Sequence, residues 1–148
     1  MANFDHLKKL DVTKDKTATY TFGQIVVNDV SPILTVAPAT EANKGYFNAL
    51  LKRASKSARQ VAAGKVSAAL ISENREEDRT LYPLYIVQGW ENVFDADGNT
   101  VEFSKEACAE FLSALPDWLF DDLRNFCGKP DSFVDVSSLV DLEEVAKN

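Results

Sequence analysis

The sequence predicts an α+β fold: a small N-terminal antiparallel β region, a long basic helix, a central β-hairpin and a C-terminal acidic helical region. Three observations predict it. β-branched and aromatic residues cluster before residue 38. Apolar residues recur at helical spacing from Thr40 to Ala63. An Asp/Gly/Asn turn at 95–99 then leads straight into a capped helical pattern. A chain of 148 residues with 45% apolar and 26% charged residues can bury its own core, so one domain is expected. Its parts are a β-rich stretch (1–38), a helical middle (39–88), a hairpin with two helices (89–133) and an acidic tail (134–148).

Taken in order, Phe4, Leu7 and Leu10 are spaced for a short amphipathic helix. Thr17–Phe22, Ile25–Val27 and Pro32–Val36 read as three short strands, with Asn28-Asp29 as a turn. Thr40 is the expected cap of the long helix, and Gly64 its stop. The stripe Tyr46, Phe47, Leu50, Leu51, Ala54, Ala58, Val61 and Ala62 should face the core. Lys52, Arg53, Lys56 and Arg59 lie off that stripe and should be solvated. Residues 73–79 mix acids and bases and read as solvated helical surface. Pro83 argues for an extended or kinked path from Leu81 to Val87.

The hairpin should pair Trp90–Phe94 with Thr100–Phe103, Gly98 supplying the positive φ of the turn. Ser104 is placed to cap the next helix, whose buried face is Ala107, Cys108, Phe111, Leu112 and Leu115. Pro116 should open the helix after it from the N1 position. Trp118, Leu119, Leu123, Phe126 and Cys127 should form its inner face, and Gly128 should end it. Trp90 and Trp118 are the expected aromatic anchors of the core. Ser137 or Ser138 can cap a last helix over Leu139, Val140, Leu142 and Val145, with Asp141, Glu143 and Glu144 outward.

The formal net charge is −7, unevenly spread. From Glu91 onward fourteen acids face four bases, whereas residues 43–65 hold six bases and no acid. Phosphate neutralisation needs clustered bases, so the acidic balance argues against nucleic acid as the general partner. Cys108 and Cys127 fall at apolar helical positions and read as buried free thiols in a reducing compartment. The first eleven residues carry no apolar leader run, and no stretch is long enough for a membrane span.

One pattern invites a metal. Asp95, Asp97, Asn99 and Glu106 fall at positions 1, 3, 5 and 12 of a calcium-loop spacing. The sixth position is Thr100 rather than Gly, and Glu102 stands where an apolar residue is usual. An Asx-rich turn is therefore the expected role, with no metal or other cofactor. His6 is the lone histidine, so Ser-His-Asp and Cys-His schemes have no base near a nucleophile, and no enzyme is expected.

Gly89-Trp90-Glu91-Asn92-Val93, Asp97-Gly98-Asn99, Val101-Glu102-Phe103-Ser104 and Leu115-Pro116-Asp117-Trp118 together resemble small proteins of tailed bacteriophages. Those proteins are tail assembly chaperones or minor tail components. Pro38–Asn43 and Tyr46–Leu50 are similar to the same pattern, which covers roughly residues 38–133. The resemblance implies a non-enzymatic protein of the host bacterial cytoplasm that binds tape-measure or tail-tube subunits. Alternatives are a virion subunit (minor tail, neck or capsid-associated) contacting its neighbours, and a small acidic inhibitor of a host defence system. A homo-oligomer is compatible with all three.

Overall fold

A computed structural model describes residues 2–13, 15–62 and 68–134. The architecture is α+β, with three antiparallel strands and four α-helices in the described residues. The order is β1 (Ala18–Thr21), β2 (Ile33–Val36), α1 (Lys44–Ala62), α2 (Ala68–Tyr85), β3 (Val87–Glu91), α3 (Lys105–Ala114) and α4 (Asp117–Cys127). Short 3-10 turns occupy Asp5–Leu10 and Pro130–Ser132.

β2 is the middle strand. It pairs with β1 through Tyr20–Leu34 and with β3 through Leu34–Trp90, with an irregularity between Thr35 and Val36. The third strand is therefore Val87–Glu91, not Ile25–Val27. The latter segment makes only the Val27–Val30 bridge, closed by Asn28 and Asp29 at φ 54° and 65°. Two consecutive positive φ values make a tight turn, which Asn and Asp tolerate better than other side-chain-bearing residues. Ile25–Val27 therefore lies within the connection that joins β1 to its partner β2, not in a ladder of its own.

Phe22, Leu34 and Val36 from the sheet region, Tyr82 from α2, Ile86 from the turn between α2 and β3, Cys108 and Leu112 from α3, and Phe120, Leu123 and Cys127 from α4 make the core. α2 runs through Pro83 rather than stopping before it. The missing N–H costs one helical bond near the helix end. Tyr82 and Ile86 are both buried, and the Ile86 amide still reaches the Tyr82 carbonyl at 2.9 Å. Tertiary packing outweighs the local preference here.

α1 is capped by Asn43 rather than Thr40. Asn43 Oδ1 accepts from the Tyr46 amide at 3.3 Å, and Asn43 Nδ2 donates to the Tyr85 carbonyl at 2.8 Å. Thr40 Oγ1 makes a local turn with the Ala42 amide instead. Gly45 lets the Tyr85 ring lie directly on α1, since a Cβ there would sit 2.9 Å from it. The start of α1 is thus tied to the end of α2. The stop expected at Gly64 and the helix expected after Ser137 lie outside the described residues.

Candidate functional site

Four residues of α2 recur at i, i+3, i+4 and i+7: Arg75, Asp78, Arg79 and Tyr82. That spacing places them on one face. The face is turned inward, so residues 73–79 are not simply solvated surface. Asp78 is 2% exposed and Arg79 5%.

Asp78 is the hub. Its Oδ1 accepts from Arg53 Nη1 at 2.7 Å and from the Tyr46 hydroxyl at 2.9 Å, both on α1. Its Oδ2 accepts from Arg124 Nε of α4 at 2.7 Å. One carboxylate therefore ties three helices. Arg53 also donates to the Asn74 carbonyl, so this base is drawn inward instead of being solvated with the rest of α1. A second knot lies beside the first. Arg75 binds both oxygens of Asp121 at 3.0 and 2.8 Å, in the fork geometry that favours Arg over Lys. Arg79 donates to the Leu112 carbonyl, to Asp117 at 2.7 Å and to Glu76 at 3.1 Å. Its guanidinium lies 4.8 Å from the Phe120 ring centroid.

The electrostatics follow from this packing. The hydrogen bond from Arg75 holds the Asp121 carboxyl below its usual range, with Arg124 assisting and burial opposing. Burial, then the Asp78 charge, raises the Tyr46 phenol. Burial opposes the charge on Arg124, but Asp78 and Asp121 outweigh it and raise its pKa. Arg53, Arg75, Asp78, Asp121 and Arg124 also border a cleft of about 480 Å³. Guanidiniums cannot serve as bases at neutral pH, and both carboxylates are already bound by guanidiniums. The chemistry of this arrangement is that of a clamp.

The turn residues behave differently. Asp95 Oδ1 accepts from the Asp97 and Asn99 amides at 2.9 Å each, and Gly98 has φ 83°. Among the described residues no group of three His, Cys, Asp or Glu side chains is placed to hold a metal, so Asp95, Asp97 and Glu106 are not assembled into one. Asn99 belongs to the turn. The hairpin is shorter than expected: only Phe94 and Thr100 bridge, because Trp90 and Glu91 pair with β2 instead. Ser104 Oγ accepts from the Ala107 amide at 3.0 Å and caps α3. Pro116 occupies the cap position of α4, one residue earlier than N1.

The two tryptophans part company. Trp90 is half-buried, donates from Nε1 to the Val101 carbonyl at 2.9 Å and meets Phe103 and Phe111 edge-on. Trp118 is 56% exposed and is no core anchor. The inner face of α4 is Leu119, Phe120, Leu123 and Cys127, so Trp118 is turned out of it. Phe120, which periodicity did not single out, is the fully buried aromatic of that helix.

α1 also departs from expectation. Its inner side is made by Tyr46, Leu50 and Arg53. Leu51 is 50% exposed, Ala54 and Ala58 are exposed, and Phe47 is half-buried. Of the six predicted stripe residues whose burial is described, Leu51, Ala54 and Ala58 thus face away from the core.

Residues 41–144 match the model of a family described as the YdaY prophage protein. The chain belongs to this family. The match begins just before α1 and takes in all four helices and β3, while β1 and β2 precede it. The clamp therefore lies wholly within the part this family shares, and the YdaY-family chain is phage-derived. Comparison with curated proteins and with solved structures returns no match. Among the described residues, no helix of this prophage protein is long and apolar enough to cross a membrane.

Proposed function

We propose that this prophage protein is a non-catalytic factor of tail morphogenesis that binds other phage proteins in the host cytoplasm. The observation that carries the reading is the division of labour within α1. Its polar inner residues, Tyr46 and Arg53, are committed to the Asp78 clamp, while Leu51, Ala54 and Ala58 stand outward on the same helix. A helix with an apolar outer stripe suits recognition of a partner chain. Membership of a prophage family supports a phage context. The tail assignment rests on the resemblance carried by Gly89–Val93, Asp97–Asn99, Val101–Ser104 and Leu115–Trp118. Engagement of Asp121 by Arg75 and Arg124 weighs against its use in an acidic inhibitor surface.

The test is recovery of the tagged full-length chain from an induced lysogen, with mass spectrometry of purified virions alongside. Tape-measure or tail-tube protein should co-purify, and the chain itself should be missing from virions. Many copies in the virion would make it a structural subunit instead. Normal tails from a phage lacking the gene would refute a role in tail assembly.

A further inference from the structure

We propose that the outer face of α1 is a docking surface for an acidic amphipathic helix of a partner protein. Phe47, Leu51, Ala54 and Ala58 follow i, i+4, i+7 and i+11, which makes one continuous stripe. At about 1.5 Å per residue the stripe is roughly 16 Å long, enough for three turns of a partner helix. Leu51, at its centre, is half exposed, and the small Ala54 and Ala58 let another backbone come close. Val12 and Phe47 border a shallow recess at its N-terminal end.

The charge around the stripe selects the partner. Lys44, Lys52 and Arg59 are exposed on α1, and α1 contains no acid. Among the described residues, Glu41 and Glu77 stand at its margins. An incoming helix with apolar residues at the same spacing and carboxylates along its flanks would bury Leu51 and meet the exposed bases. A basic helix would meet like charge. Nucleic acid would use the bases but leave the apolar stripe uncovered, so a protein helix fits better. This inference rests on the proposed protein-binding role and names its surface.

The probe is a synthetic eighteen-residue peptide with leucines at helical spacing and glutamates between them, titrated by fluorescence anisotropy onto the full-length chain. A scrambled peptide, a lysine-for-glutamate version and mixed-sequence DNA serve as controls. The acidic peptide should bind, and added salt should weaken it. Leu51→Asp and the double variant Lys44→Glu/Arg59→Glu should each weaken it by roughly tenfold. Because these positions are exposed, the variants should keep the circular dichroism and urea midpoint of the parent. Ala54→Glu gives a second reading if Leu51→Asp fails to fold. Equal binding of the basic or scrambled peptide, preference for DNA, or indifference to all the α1 variants would overturn the proposal. So would carbodiimide cross-links joining Lys52 to Asp141, Glu143 or Glu144. In the monomer they would assign the face to the chain's own tail, and in a dimer to a second copy. If Leu51→Asp loses the peptide yet still recovers tape-measure or tail-tube protein, the tail reading stands and this surface falls. If the parent binds the peptide but recovers no tail protein, the reverse holds.

Discussion

Replacing Asp78 by Ala should be the most damaging single polar substitution in the described part of this protein. It leaves Arg53 and Arg124 without their shared carboxylate and the Tyr46 hydroxyl without its acceptor. Removing one partner of a buried pair costs about 3–5 kcal/mol, because the remaining charge stays desolvated. Here the side chains of Arg53 and Arg124 are 14% and 25% exposed, so water relieves part of that cost. Arg124 also keeps Asp121. The lower end, about 3 kcal/mol, is therefore expected. At about 2–4 °C per kcal/mol for a chain of this size, the unfolding midpoint should fall by about 6–12 °C. Urea unfolding followed by tryptophan fluorescence gives the free energy, and far-UV circular dichroism the thermal shift. Tyr46→Phe removes only one donor and should cost about 1 kcal/mol. In a double-mutant cycle, Asp78→Ala and Arg53→Ala should couple by about 1–3 kcal/mol. A cost for Asp78→Ala below about 1 kcal/mol, the range of exposed ion pairs, would refute the clamp.

Three further outcomes follow from the same geometry. Burial pushes the Cys108 and Cys127 thiols up to about 12, so both should resist alkylation in the native protein at about pH 8 and react once urea unfolds it; rapid native labelling, read by mass spectrometry, would contradict their burial. The Asp121 carboxyl is held low in the folded state, chiefly by Arg75. Its stabilising contribution is therefore complete above the unfolded value of about 3.9 and is lost as pH falls through the lower folded value. Asp121→Asn should accordingly flatten the acid limb of a stability–pH curve, and an unchanged limb would remove Asp121 from the account. Ser104→Ala deletes the side-chain cap of α3 and should cost about 1 kcal/mol in urea unfolding, whereas Ser104→Asp should retain most of it.

Local chemistry was legible where a few adjacent residues decide the outcome. Ser104 ahead of Ala107, and Asp95 ahead of Gly98, specify a cap and a turn without help from the rest of the chain. β3 was harder, because Trp90 can pair either with the neighbouring residues after the turn or with β2, which lies more than fifty residues earlier. Only the assembled sheet decides between them, and β2 wins because it is already paired on its other edge with β1. Trp118 was misplaced for a different reason. Two apolar residues adjacent on a helix point about 100° apart, and the core accepted Leu119 and Phe120 rather than Trp118 and Leu119.

The clamp was hidden by the way amphipathicity is read. Arg75, Asp78, Arg79 and Tyr82 have the spacing of a buried stripe, but three of the four are charged, and charge normally marks the solvent face. The stripe is recognisable only with the complementary charges Arg53, Asp121 and Arg124, which stand on two other helices. That substitution of charge for grease on α2 also explains α1. Because α2 offers α1 a carboxylate, α1 turns Arg53 and Tyr46 towards it rather than its most apolar face. Leu51, Ala54 and Ala58 are then left outward by helical geometry. The buried ion cluster and the exposed apolar stripe are thus one feature seen from two sides. Replacing Arg53, Asp78 and Arg124 with a well-packed apolar set could leave stability unchanged, as such replacements do elsewhere. It would also remove the Arg53 and Tyr46 contacts to Asp78 that orient α1 beyond its first turn. Peptide binding on the outer face should therefore weaken in such a variant even where its urea midpoint holds.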